Sequence, residues 1–271
     1  MRRRSFEHAV AAIVNGDHHD PFSFLGMHLD GRKRILTVRA FLPGALKVTV
    51  IDSARGKPVA ELTRVHEAGL FASPLGECRK RFDYRLRVAD RHGEREIEDP
   101  YRFPPILGDL DLHLLAEGNH LRSFEKLGAH PTSLCGVRGV SFAVWAPDAS
   151  RVSVIGEFNE WDGRRHPMRV RHDCGVWEIF LPGVETGALY KYELRTSKGE
   201  VLVKADPYAF EAELRPRTAS VIHWPNPEAR GDGEWMERRG RVNYRSAPIA
   251  IYEVHLGSWR RKSEEGNRFL T

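Results

Sequence analysis

Residues 140–155 read VSFAVWAPDASRVSVI, and residues 36–51 read LTVRAFLPGALKVTVI. The two segments align without a gap at an offset of 104, with Pro43 on Pro147, Phe41 on Trp145, Ala45 on Ala149, Val48 on Val152 and Val50 on Val154. Downstream, Gly69-Leu70-Phe71 answers Gly175-Val176-Trp177, and Asp99-Pro100-Tyr101 answers Asp206-Pro207-Tyr208. A repeat near one hundred residues is too long for a solenoid and suits two tandem domains of about 100–150 residues each.

Within each copy the pattern is that of short strands. Val140, Phe142 and Val144 fall on one side of an extended chain, Ser141 and Ala143 on the other, and Pro147-Asp148-Ala149-Ser150 turns into Val152 and Val154. Segments 176–181, 190–194 and 201–203 follow, punctuated by Pro182-Gly183 and the Ser197–Glu200 turn. The first copy offers 37–38, 47–50 and 84–88, with a turn at Asp90–Gly93. Many short strands separated by turn residues predict an all-β chain of two tandem immunoglobulin-like β-sandwiches. Strand alternation assigns Trp145 and Trp177 to core packing.

Two helices are expected outside the sandwiches. Phe6, Val10 and Ile13 share a face, with Ser5 as N-cap and Gly16 past the end. Leu121, Phe124 and Leu127 have helical spacing, and Gly128 closes a short connecting helix over 119–127. Beyond residue 225 the texture turns polar and glycine-rich, a linker, until Ile249–Leu256 supplies the apolar run of a buried strand. Such a strand needs neighbours, so this run reads as the opening of a third domain. The expected division is 1–108, a β-sandwich with a leading helix; 109–131, a connector; 132–225, a second β-sandwich; and 226–271, the linker and the start of the third domain.

Composition excludes several classes. The chain of 271 residues is 41% hydrophobic and 29% charged, as expected of a folded soluble protein. No apolar run approaches the roughly 18–20 residues that span a bilayer. Glu7 and His8 interrupt the apolar stretch behind Arg2-Arg3-Arg4, so a signal peptide is not expected. Cys78, Cys135 and Cys174 are odd in number and widely spaced; reduced thiols in a cytoplasmic protein are the default reading, with no zinc site. The net charge of +5 rests mostly on arginines interleaved with acids, as in Arg91–Glu96, which describes a solvated surface and not a nucleic-acid face. His18-His19, flanked by Asp17 and Asp20, is read as a turn; adjacent histidines point apart in extended chain and do not converge on a metal.

A set of motifs in fixed order carries a family resemblance. These are His19-Asp20-Pro21-Phe22 with Leu25-Gly26, His120-Leu121 with Glu125–His130, Phe142–Pro147, Gly156–Gly163 with His166-Pro167-Met168, Lys204–Ala209 and Ile251–Arg261. Nearly the whole chain in this order resembles the N-terminal part of glycogen (1,4-α-glucan) branching enzymes. The second repeat alone is similar to the carbohydrate-binding module shared by branching enzymes, debranching enzymes and glycogen-sensing kinase subunits. The resemblance implies that the run from Ile249 opens a (β/α)₈ barrel, the packing partner of the two modules. It also implies chemistry that cuts an α-1,4-glucan and rejoins the piece to a 6-hydroxyl with retention, using two carboxyls about 5–5.5 Å apart. No motif in this chain matches those carboxyls: Glu253 is read as structural, and Asp99 and Asp206 as turn residues. No cofactor is implied.

By the same resemblance Trp161 and Lys191 match a stacking tryptophan and a hydroxyl-bonding lysine, with Asn159 nearby. A pyranose ring exposes C–H groups on its faces, which suits an exposed indole, while its hydroxyl rim suits amides, ammonium and carboxylates. The second stacking aromatic expected near Ser197–Glu200 is absent, with Gly199-Glu200 in its place. Trp161 is therefore read either as a glucan platform or as a contact to the remainder of the protein. Rival readings are a non-catalytic glycogen-binding protein and a debranching or trehalose-releasing relative.

Overall fold

A computed structural model of the chain describes residues 2–30, 35–76, 80–223, 231–243 and 245–270. Residues 1–225 form one compact unit and 226–271 another. The first sandwich contains α1 (Arg2–Asn15) and β1 (Gly26–Asp30), β2 (Ile35–Phe41), β3 (Lys47–Asp52), β4 (Lys57–His66), β5 (Leu70–Pro74), β6 (Tyr84–Asp90) and β7 (Gly93–Glu98). All pair antiparallel in the order β1-β2-β5-β4-β3-β6-β7. The start of β4 pairs with β3 and its end with β5, with a register shift in each ladder. One strand thus turns the corner between two layers, as bulged strands do. Leu36, Val38, Val48, Val50, Phe71, Leu86 and Val88 fill the space between the layers.

The second sandwich follows α2 (Asp109–Ala116). It contains β8 (Gly128–Leu134), β9 (Val137–Trp145), β10 (Ala149–Gly156), β11 (Arg169–Arg171), β12 (Val176–Pro182), β13 (Leu189–Thr196), β14 (Val201–Lys204), β15 (Glu211–Ala212) and β16 (Ser220–Val221). One sheet runs β11-β12-β9-β8; the other runs β10-β13-β16-β15, with β14 on β13. Val140, Phe142, Val144, Val152, Val154, Trp177, Ile179 and Tyr192 form its core.

The sequence repeat is a repeat of register. Phe41 faces Leu70 and Ala40 faces Phe71, as Trp145 faces Val176 and Val144 faces Trp177. Asp52, Val50 and Val48 face Tyr84, Leu86 and Val88, as Gly156, Val154 and Val152 face Tyr190, Tyr192 and Leu194. Even the polar locks recur. The Tyr84 hydroxyl donates to Asp99 at 2.5 Å and the Tyr190 hydroxyl to Asp206 at 2.7 Å. Each aspartate also accepts the backbone N–H two residues on, from Tyr101 and Tyr208. Gly26 and Gly128 occupy matching left-handed positions where a Cβ would press on the carbonyl oxygens of Tyr101 and Tyr208, at 2.9 and 3.1 Å.

Several expectations are corrected. Ser5 is not the cap of α1, because the helix begins at Arg2; arginine propagates a helix well. The connecting helix is Asp109–Ala116, not 119–127. Asp109 and Asp111 suit its N-terminus, and left-handed Gly118 follows its end. The 119–127 stretch keeps only a short 3₁₀ turn at Ser123–Glu125, with Leu121 exposed and Leu127 buried. His18 and His19 do not point apart, since the chain bends there and their rings stack at 5.4 Å. Ile249–His255 forms no strand: among the described residues it has no ladder partner, and Ile251 and Tyr252 are exposed. The second unit contains a helix at Gly233–Arg241, a helical turn at Leu256–Trp259 and a hairpin of Arg261–Lys262 with Arg268–Phe269. Cys78 lies outside the described residues.

Candidate functional site

The repeat breaks at one place, and the candidate site is built there. In the first sandwich β3 turns directly into β4. In the second, the corresponding stretch after Gly156 becomes a compact loop carrying Trp161. A 3₁₀ turn, Glu157–Asn159, leads into Glu160 and Trp161, at φ +59° and +58°. Two consecutive non-glycine residues in the left-handed region cost on the order of 1–3 kcal/mol each, and such strain collects where a side chain must be presented.

Asn159 explains how the loop is held. It is buried, and its Oδ1 accepts from Gly156 N at 2.9 Å. Its Nδ2 donates to Val154 O at 2.8 Å and to His166 Nδ1 at 2.9 Å. The amide is used up inside the loop, so Asn159 positions Trp161 and does not face solvent with it. The glucan-binding candidate expected beside Trp161 and Lys191 thus lies inside the loop.

Trp161 and Lys191 do come together. Trp161 is 38% exposed, and both side chains border a shallow concavity of about 530 Å³. Ile155 and Val203 supply its apolar lining, and Glu193, Glu213, Arg217 and Thr218 its polar groups. Lys191 reaches Thr218 Oγ1 at 2.7 Å. Glu213, Arg217 and Thr218 come from the β15–β16 connection and were missed from sequence; their only signal was a polar stretch after the last clear strand. The arrangement is one apolar ring beside cations, carboxylates and a hydroxyl, the set that meets a pyranose on its face and its rim.

Trp177 is buried, and its Nε1 donates to Ala146 O at 3.0 Å, as expected of a core indole. Trp145 is not: it is 60% exposed and borders a concavity of about 940 Å³, beside Leu115, Tyr208 and the His172–Gly175 turn. Period-two alternation puts it with Ser141 and Ala143 on the outer face. Its counterpart Phe41 is covered by Val10 and Ile13 of α1.

Burial pushes His166 down to about 4 from 6.5, helped by the Arg165 charge and opposed by Asp162. The neutral ring accepts the Asn159 proton. Asp99 shifts the other way, up to about 6 from 3.8, by burial. The stability from His166 is full above pH 6.5 and lost as pH falls through about 4; that from Asp99 is full below pH 3.8 and lost as pH rises through about 6. Over pH 4–6 the two oppose, each worth roughly 3 kcal/mol. His166→Asn should therefore make the chain relatively more stable at about pH 4.5 than at about pH 7, compared with the unsubstituted chain in urea unfolding. Parallel pH profiles for the two proteins would contradict the assignment.

Among the described residues no group of three or more His, Cys, Asp or Glu is placed to hold a metal ion, and no helix is long and apolar enough to cross a membrane. The fold defines a tandem β-sandwich protein, and residues 126–209 match carbohydrate-binding module 48 (isoamylase N-terminal domain). Residues 7–101 match the N-terminal domain of α-1,4-glucan branching enzyme GlgB. Over 97% of its length the chain is 58% identical to 1,4-alpha-glucan branching enzyme GlgB of Rubrobacter xylanophilus, covering 35% of that protein. Over 96% it is 51% identical to the enzyme of that name from Rhodospirillum rubrum, covering 36%. Over nearly its whole length the chain is similar to these 1,4-alpha-glucan branching enzymes, and it spans about a third of their length. Among solved structures, pullulanase from Anoxybacillus sp. LM18-11 shows a weak likeness: 16% identity, 73% of this chain, 27% of the other, TM-score 0.30.

Proposed function

We propose that these modules are the glucan-holding part of a 1,4-α-glucan branching enzyme, which cleaves α-1,4 links and transfers the chain to a 6-hydroxyl by a retaining mechanism. The observation that carries the reading is the pairing of Trp161 with Lys191 on one concavity with a polar rim. Similarity to the branching enzymes suggests the reaction. No motif in residues 1–271 matches the two catalytic carboxyls of that reaction, and the buried acids of the sandwiches have structural partners: Asp99 and Asp206 tyrosine hydroxyls, Glu178 backbone N–H groups. In the whole enzyme a (β/α)₈ barrel opening near Ile249 would supply the catalytic pair and pack against the modules. Cys135 and Cys174 are free thiols, which suits the cytoplasm.

The test is retention of the 271-residue chain in a glycogen-containing native gel. The unsubstituted chain should be retarded, and Trp161→Ala should lose about tenfold or more in apparent affinity with its thermal midpoint unchanged. Equal retardation of the two proteins would remove Trp161 from the site.

A further inference from the structure

The Trp161 loop does not stand on its own sandwich alone. Its rear surface meets three pieces of the first sandwich, all distant in sequence. The first is the end of α1. Gly16 is left-handed at φ +67°, and a Cβ there would lie 3.1 Å from Arg151 Nη1 and 3.2 Å from Arg164 Cγ, so the α1 terminus closes directly onto both guanidinium side chains. The next residue, Asp17, pairs at 3.0 Å with Arg195 of β13, the cross-strand neighbour of Arg151 and not itself part of the loop. The second piece is Phe41, over whose ring the Arg164 guanidinium sits at 6.0 Å. The third is Tyr101, whose hydroxyl lies 3.3 Å from the carbonyl oxygens of both Arg165 and Pro167.

These contacts converge on the backbone that carries the indole. Arg151 is 2% exposed and donates from Nη1 to Gly163 O at 2.8 Å and to Ser153 Oγ at 3.1 Å, while its Nη2 pairs with Glu193. Gly163 is so close to Glu193 that a Cβ would lie 2.1 Å from the carboxylate. Arg164 grips Asp162 through two bonds, at 2.9 and 2.8 Å. Residues 162–165 are thus pinned from behind, directly after the left-handed pair Glu160–Trp161. A strained pair persists only where its surroundings over-determine it, and part of those surroundings belongs to the other sandwich. The first sandwich itself has only a plain turn at this place and no aromatic platform, so its part lies in support.

We infer that the first sandwich is a brace for the glucan platform of the second: Gly16, Asp17, Phe41 and Tyr101, acting through Arg151, Arg164 and Arg195, hold Trp161 in its ring-presenting conformation and so set the affinity for α-glucan. The inference rests on the proposed glucan site. Tyr101 and Arg151 are positioning residues; neither touches the sugar.

The experiment uses the 271-residue chain labelled with 5-fluorotryptophan, the Trp161 resonance being assigned by its loss in Trp161→Phe. Maltoheptaose is the probe. Tyr101→Phe deletes a single hydroxyl from the first sandwich, and Arg151→Lys keeps the charge while losing the fork that reaches Gly163 and Glu193 together. Both should move or broaden the Trp161 fluorine resonance in the free protein and raise the Kd for maltoheptaose about threefold to tenfold, well below the unfolding temperature. A purely structural role would lower the thermal midpoint and leave resonance and Kd in place, which would overturn the brace. If Arg151→Lys does not fold, Tyr101→Phe and Asp17→Ala carry the same reading. Should Trp161→Ala leave glucan binding intact, the proposed site fails. The brace is then judged by the resonance alone, and an unmoved Trp161 line in Tyr101→Phe would sink it too.

Discussion

Glu178→Ala is expected to lower the unfolding free energy of the tandem sandwich by about 3–5 kcal/mol. Glu178 lies on β12 with its side chain fully buried. One oxygen accepts the backbone N–H groups of Ile106 and Leu107, both at 2.9 Å, and the other accepts from Arg171 at 2.7 Å. The truncation leaves two backbone donors and a largely buried guanidinium without their acceptor, and each such loss costs about 1–3 kcal/mol. The damage should be local as well as global. The chain leaving the first sandwich is docked here, with Phe103 packed edge-on against Phe180 at 4.7 Å between ring centres. Amide exchange at Ile106 and Leu107 should accelerate in the variant long before the strands exchange. Unchanged protection at those two amides would contradict the assignment.

Asp206→Ala follows from the duplicated lock and should cost more than Asp99→Ala. Asp206 accepts from the hydroxyls of Tyr190 and Tyr192 and from Tyr208 N. Asp99 serves one hydroxyl and one N–H. Three stranded donors against two give about 3–5 against about 2–3 kcal/mol, with the desolvation of each carboxylate returned in both variants. Burial raises both carboxyls above the usual range, so their value lies in satisfying the tyrosines and not in a charge pair. Asn at either position keeps an acceptor and should recover part of the loss. Chemical denaturation of the four variants ranks them; an Asp99→Ala variant less stable than Asp206→Ala would break the argument.

The repeat was legible because it was written twice. Alternation at 140–145 and 36–41, with Pro43 and Pro147 at the same offset, is a statement about register, and register followed residue for residue. What alternation could not supply was cover. Phe41 and Trp145 hold equivalent outward positions; α1 lies over the first, while α2 is short and leaves the second open. The α2 misplacement has a similar cause: Leu121, Phe124 and Leu127 keep helical spacing, but Gly118 ends one helix before them and Gly128 begins a strand after them. The Ile249–Leu256 run has a buried strand's composition, yet a strand is a property of a ladder.

At the site, Trp161 announced itself as a bulky ring in a run of turn residues. Asn159 looked identical in kind and proved to be the loop's internal fastener, because a short polar side chain beside a tight turn satisfies backbone as readily as ligand. The contribution of Gly16, Asp17 and Tyr101 was invisible: it depends on contacts between residues 60 to 180 positions apart that no local pattern encodes.

The measurement that tests the account most directly is a titration of maltoheptaose into the 5-fluorotryptophan-labelled chain, watching its six tryptophans at once. The Trp161 resonance should shift saturably, with Trp177 and the tryptophans of the second unit unmoved. A saturable shift of Trp145 with Trp161 still, or no shift at millimolar sugar, would contradict it.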